Sequence, residues 1–201
     1  MKSFDNYIIE KLKLSKVKVY NHFPETKEEL REILEERLKE DKNADLNDID
    51  VSKITDMYKL FVNLAPQNIN ISEWDVSNVE GMEFMFFGCS NFDSDLSKWN
   101  VSKVTNMEGM FNSCKNFNSD LSGWNVSNVI DMSGMFFGCR QFNSDLSKWN
   151  VSKVEHMQNM FYKCENFNSD LSKWNVSNVK HMRDMFWNCT SLKNKPKWYK
   201  E

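Results

Sequence analysis

Cys89, Cys114, Cys139, Cys164 and Cys189 recur at a constant interval of 25 residues. Thiols in that number invite two chemistries, metal ligation and disulfide formation. Metal sites are usually built from close ligand pairs such as C-x-x-C, and the sequence holds none. His156 and His181 share one register in adjacent units, in VEHMQNM and VKHMRDM, where two converging imidazoles would make a metal site. Other units carry Gly81, Asn106 and Asp131 at that position, so it reads as an unconstrained surface site. Asp95, Asp120, Asp145 and Asp170 form an acidic column beside Ser94 and its equivalents. Calcium bridging neighbouring carboxylates is one chemistry for that column. An Asx turn, each carboxylate accepting backbone N–H groups of its own unit, is the other. No nucleophile–base grouping, Gly-rich phosphate loop or unit-specific insertion is present. The expectation is a protein that is not an enzyme and holds no cofactor and no metal.

The same interval governs the rest of the chain. Trp74, Trp99, Trp124, Trp149 and Trp174 keep it, as do the methionine pairs from Met82/Met85 to Met182/Met185. A degenerate unit from Asp45 carries Ile49 in the tryptophan register, giving six units up to about Asn194. A fixed period of this length marks a stacked repeat architecture. Within one unit Leu96, Trp99, Val101 and Val104 follow the L-x-x-L-x-L spacing of a leucine-rich repeat, which predicts a strand over Trp99–Val101. Val104, Met107, Phe111 and Cys114 then recur every three or four residues, as on one face of a helix. Ser102 stands where an N-cap belongs, and Ser77/Glu80 and Ser152/Glu155 read as capping boxes. Gly88 and Gly138 lie near the helix end, where a left-handed residue fits. The expected fold is an α/β, leucine-rich-repeat-like solenoid of six strand-turn-helix units with a helical N-terminal cap. Its ladders of Trp, Val, Met, Phe and Cys would fill one core. On neighbouring helices 8–10 Å apart the cysteines would exceed disulfide reach, so buried free thiols are expected.

The motif "W[ND]VS.V..M..MF..C", preceded by Phe-Asn-Ser-Asp-Leu-Ser, resembles the BspA-like surface-protein repeats. These are leucine-rich-repeat relatives, and the likeness covers about 150 of the 201 residues. The resemblance implies a curved solenoid and, for several members, adhesion to host matrix proteins or other cells. The chain departs from the general leucine-rich pattern at Val104, where an Asn is usual. The Ser102 cap is expected to take over that asparagine's role of satisfying the backbone.

The domain reading is an N-terminal helical cap at 1–44, the repeat solenoid at 45–194 and a C-terminal cap at 195–201. Phe4, Tyr7, Ile8 and Leu12 form one helical stripe, and Val17 and Val19 alternate as in a short strand. Thr26 and Glu29 box a second helix whose apolar face is Leu30, Ile33, Leu34 and Leu38. Tyr199 falls in the tryptophan register, and Pro196 in the leucine register marks the end of the repeat. A formal charge of -3 leaves no basic footprint for nucleic acid. No apolar run approaches a membrane span, and the first twenty residues lack the apolar core of a secretory signal. The chain therefore reads as cytoplasmic as written, or as surface-exposed or secreted if an export signal has been removed.

The partner is expected to be a protein, with self-association an alternative. Comparison of units shows where it would bind. The strand segment barely changes (DLSKWNVS, DLSGWNVS), whereas the helix varies at Glu80/Thr105/Ile130/Glu155/Lys180 and at Phe87/Asn112/Phe137/Tyr162/Trp187. Helical phase turns the second column outward. Phe87, Phe137, Tyr162 and Trp187 are the candidate contact residues, because exposed apolar patches mark interaction sites. A non-catalytic interaction solenoid is the leading functional reading. An exported adhesin and a self-associating structural protein are its rivals.

Overall fold

The computed structural model describes residues 18–200. The stripe Phe4, Tyr7, Ile8 and Leu12, together with Val17, lies outside them. Val19 is exposed and no strand forms there.

The repeat is realised as a stack of coils joined by parallel bridges, Asp56 to Gly81, Gly81 to Asn106, Asn106 to Asp131, Asp131 to His156 and His156 to His181. Neither the expected strand nor the expected helix is present in the repeat. This corrects the α/β reading, and hydrogen bonding gives the reason. In an α-helix the Phe136 N–H would bond the carbonyl four residues back. Here it points along the stack to Met160 O at 2.9 Å, as Met132 does to His156 O, Gly134 to Gln158 O and Gly138 to Tyr162 O. The intervening N–H groups close four-residue turns inside the coil, Met135 onto Met132 O, Phe137 onto Gly134 O and Cys139 onto Phe136 O. The coils 82–88, 107–113, 132–138 and 157–163 each give four such rungs to the next, and the first coil gives three, from Met57, Lys59 and Phe61.

Alternating donors in this way needs two left-handed residues per coil. Gly109, Gly134, Asn159 and Asp184 hold φ between 55° and 58° at one register, which Phe84 and Lys59 also occupy. Gly88, Ser113, Gly138, Lys163 and Asn188 hold φ between 57° and 76° at the second. An α-helix cannot pass through such residues. Turn corners spaced three or four residues apart still send Val, Met, Phe and Cys inward, so the apolar spacing mimics a helical face.

The segment expected to be a strand is also built from turns, with Trp99 N–H bonded to Leu96 O and Val104 N–H to Val101 O. Asx turns form three corners of the coil. Asp95, Asn100 and Asn106 accept through Oδ1 from the N–H of Ser97, Ser102 and Glu108 at 2.9, 3.2 and 2.9 Å. Ser77, Ser102 and Ser152 are therefore donors to Asx side chains rather than helix caps.

Side chains satisfy what the backbone leaves open between coils. The indole N–H of Trp124 bonds Leu96 O at 2.9 Å, and every repeat tryptophan has an equivalent bond. Ser119 and Ser144 Oγ accept from Leu96 and Leu121 N–H at 2.9 Å. Asn118 and Asn143 Oδ1 accept from Asn143 and Asn168 N–H at 2.9 Å. These groups take the role expected of Ser102. The buried phenylalanines stack in two columns, Phe111 on Phe136 at 5.7 Å and Phe117 on Phe142 at 5.8 Å, with Phe111 and Phe117 4.0 Å apart.

The stack is covered at its start by α1, Lys27–Glu40, capped by Thr26 Oγ1 accepting from Glu29 N–H at 3.2 Å. The reciprocal Glu29 carboxylate takes the Glu25 N–H instead of that of Thr26. Leu30, Leu34 and Leu38 are buried against the first coil, while Ile33 is partly buried. These rungs run from N–H groups of one coil to carbonyls of the next, although flanking bonds such as Thr105 N–H to Glu80 O run back, so in that register the first coil would show carbonyls without donors from a preceding coil. Arg31 donates to Lys59 O, Leu60 O and Val62 O at 3.0, 2.9 and 2.8 Å, and Lys42 donates to Leu64 O at 2.6 Å. At the far end Trp198, and not Tyr199, continues the tryptophan column, stacking on Trp174 at 6.3 Å and donating to Leu171 O. The final segment is one residue shorter than the period, and Tyr199 packs edge-on against Phe186 at 5.0 Å.

Candidate partner-binding surface

Trp74, Trp99, Trp124, Trp149 and Trp174 are buried, as are Cys89, Cys114, Cys139, Cys164 and Cys189, whose thiols are free. Without helices the 8–10 Å spacing argument fails, because bridged coils lie nearer 4.8 Å apart. What fixes the thiols is a bond along the stack. Cys114, Cys139, Cys164 and Cys189 Sγ donate to Phe86, Phe111, Phe136 and Phe161 O at 2.9 to 3.0 Å. Burial pushes the Cys89 and Cys189 thiols up to about 12, and it raises those of Cys114, Cys139 and Cys164 as well. The thiolate is the reactive form, so none is available at neutral pH. In the folded protein all five thiols are therefore expected to react with a maleimide only as fast as the chain opens. Prompt labelling of Cys139 without denaturant would contradict this arrangement.

Each Asp of the acidic column closes an Asx turn of its own unit. Asp120 Oδ1 accepts from Ser122 N–H at 2.9 Å and from Ser144 Oγ at 3.3 Å. These bonds hold the Asp120 carboxyl below its usual range, and the Ser97 hydroxyl and N–H do the same for Asp95. His156 and His181 stack face to face at 5.2 Å. Among the described residues no three His, Cys, Asp or Glu side chains converge as metal ligands.

The outward column is a surface feature made by turns rather than by helix phase. Phe137 stacks on Tyr162 at 4.6 Å, and Tyr162 on Trp187 at 4.6 Å. Trp187 is 49% exposed and Phe87 42%, while Phe137 and Tyr162 are half-buried. Lys163 Nζ lies 5.4 Å from both the Tyr162 and Trp187 rings, a cation–π arrangement. Asn112 interrupts the column, and Phe87 belongs to a second group on its far side. Phe84 meets Phe87 edge-on at 6.0 Å and Tyr58 at 6.4 Å, with Lys59 Nζ 4.8 Å from the Tyr58 ring. Sequence reasoning missed Tyr58, Lys59, Phe84 and Lys163. Phe84 occupies a left-handed position where the next two units carry glycine. Its ring lies over Gly109, where an added Cβ would come within 2.4 Å of it. The alternation Phe84, Gly109, Gly134 was the readable signal for that contact. Exposed Ile130 belongs to the other variable column.

Among the described residues no helix is long and apolar enough to cross a membrane. The family described as "Mycoplasma protein of unknown function, DUF285" matches residues 28–133 and 119–200. No curated protein matches. A solved structure, a TLR13–ssRNA13 complex, is 11% identical and superimposes with a TM-score of 0.22 over 72% of this chain. The chain spans 26% of that structure's length, and a likeness at this level carries no argument about fold or ligand.

Proposed function

The chain belongs to the family described as Mycoplasma protein of unknown function, DUF285, and from that membership we propose a non-catalytic protein-interaction solenoid of the BspA-like, leucine-rich-repeat kind. Its partner is a protein that docks on the lateral aromatic column. The observation that carries this reading is the stack of Phe137, Tyr162 and Trp187 at 4.6 Å spacings on a solvated face. The core does not use these rings, since the buried columns are complete without them. Their faces are spent on one another, so they present a continuous apolar rim to an incoming surface. Aromatic anchors of this kind carry much of the energy at protein interfaces.

The test is a double substitution, Phe137→Ser with Tyr162→Ser, in a chain used as bait for its own cell's proteins and sedimented alone at micromolar concentration. The expected result is loss of at least one partner band that the parent retains, with the melting midpoint within about 4 °C of the parent's. Loss of a parent homo-oligomer with no other partner would turn the reading into self-association. Binding to host matrix proteins by the parent alone would make it the adhesin. A far earlier melt, or undiminished binding, would show the column to be core cover.

A further inference from the structure

Tyr58, Phe84 and Phe87 form a second group of rings, apart from the lateral column and on the first two coils of the stack. Tyr58 is 41% exposed and Phe87 42%, and Phe84 meets them edge-on at 6.4 and 6.0 Å. None of the three belongs to the buried core. Phe84 holds φ 54°, and such a backbone in a bulky residue persists only where its surroundings fix it, commonly at binding sites. Carboxylates adjoin the rings. Tyr58, Glu83 and Glu108 occupy one register of successive coils, each two residues after a bridged residue, Asp56, Gly81 or Asn106. Bridged coils lie about 4.8 Å apart, so two carboxylates follow the Tyr58 ring along the stack. Gly81 leaves the room into which Glu83 folds. Glu83 Oε2 lies 2.8 Å from where a Cβ on Gly81 would stand, and Asp56 Oδ1 3.6 Å from the same point. Burial raises the Glu108 carboxyl above its usual range, and the nearby charges of Asp131 and Glu83 raise it further. Among the described residues no lysine or arginine pairs with Glu83 or Glu108.

Beyond the lateral docking above, we propose that this face binds a basic segment of a partner protein. One arginine of the segment pairs with Glu83 and Glu108 through its planar fork, and apolar side chains beside it cover Phe84 and Phe87. Exposed apolar patches mark contact sites, and buried aromatic and arginine anchors carry much of the energy there. The charges that face the site decide the sign of the partner. Glu80 is exposed, and Asp131 Oδ1 accepts from Ser133 N–H and Oγ at 2.7 and 2.5 Å, neither of them cationic. On the opposing side Asp56 already holds Lys27 at 2.6 Å. Lys59 Nζ rests against the Tyr58 and Phe84 rings at 4.8 and 5.8 Å, and His156 adjoins Asp131 in the bridge register. Carboxylates therefore outnumber the free cations, which repels nucleic acid and anionic lipid alike. A second copy does not supply the cation from the matching registers, because Lys180 and Arg183 are held by Glu155 and Asp184 at 2.6 and 3.1 Å.

The probe is a blocked, labelled peptide with a central Leu-Arg-Leu-Arg-Leu, whose arginines stand roughly 7 Å apart when extended. Comparison peptides carry Lys or Glu for Arg, and binding to the full chain is followed by anisotropy. The expected result is saturable binding of the Arg peptide, weaker binding of the Lys peptide, and at least about tenfold weaker binding of the Glu peptide. Glu83→Gln with Glu108→Gln should weaken the Arg peptide at least about tenfold, and Tyr58→Ser with Phe87→Ser should weaken it as well. Asp120→Asn with Asp145→Asn removes the same charge elsewhere and keeps the Asx acceptors, so it should leave binding unchanged. Phe137→Ser with Tyr162→Ser should also leave it unchanged, which separates this face from the lateral column. Equal losses in the Gln and Asn pairs would reduce the effect to net charge and overturn the proposal. Undiminished binding by the Gln pair, or equal binding of the Arg and Lys peptides, overturns it too. A parent that self-associates through this face, with the Gln pair monomeric, overturns it in favour of a second copy.

Discussion

Trp124→Ala is expected to lower the unfolding free energy by about 3–5 kcal/mol, the range for truncating a large buried aromatic. The indole is buried in the third of the five intact units, tilted against Phe111 at 6.3 Å. Its loss removes packing and leaves Leu96 O without the donor now 2.9 Å away. An unpaired buried acceptor adds to the cavity cost. Trp124→Phe keeps most of the ring and loses only the donor, so a smaller loss is expected. Trp198→Ala should also cost less than Trp124→Ala, because Trp198 is only part-buried, packing on Trp174 and Phe186 of the preceding coil. Urea unfolding followed by circular dichroism measures all three. Equal losses at Trp124 and Trp198 would contradict a stack whose coils depend on neighbours from both sides.

Arg31→Met is expected to cost about 2 kcal/mol, in the range for hydrogen bonds made by a charged group, and to loosen one end selectively. Methionine keeps the apolar stem on α1 and removes the guanidinium that bonds three carbonyls of the first coil. Leu60 O and Val62 O are then left part-buried without a protein donor. Amide exchange should quicken at Met57, Lys59 and Phe61, whose rungs tie that coil to the second. Exchange at Phe111 and Phe136, deep in the stack, should not change. Arg31→Lys is expected to recover only part of the loss, since an ammonium lacks the planar fork that spans three acceptors. Uniform acceleration along the chain would show that Arg31 supports the whole fold and not its first edge.

These two residues differ in how far the sequence exposes them. The period of 25, its register and the inward set of Trp, Val, Met, Phe and Cys follow from identical residues at identical intervals, which no other arrangement buries together. The cap helix was legible too, because Thr26, Glu29 and the Leu30, Leu34, Leu38 stripe are local signals. The bond from Arg31 to carbonyls 28 to 31 residues away has no sequence mark.

The conformation between the apolar positions was decided by tertiary structure. Val104, Met107, Phe111 and Cys114 satisfy the spacing of a helix face and of chained four-residue turns equally well. Gly109, Gly134, Asn159 and Asp184, recurring at one register, are the residue types that accept a left-handed backbone, and they argued for turns. Phe84, Lys59, Ser113 and Lys163 hold the same conformation with no propensity for it. They do so because their N–H groups bond the next coil, at Glu108 O, Glu83 O, Phe137 O and Trp187 O. A coil-to-coil bond is worth more than the local strain of one left-handed residue, and it exists only when the neighbouring coil is in place. The sequence therefore determined what is buried, and the stacking of coils determined the backbone that buries it.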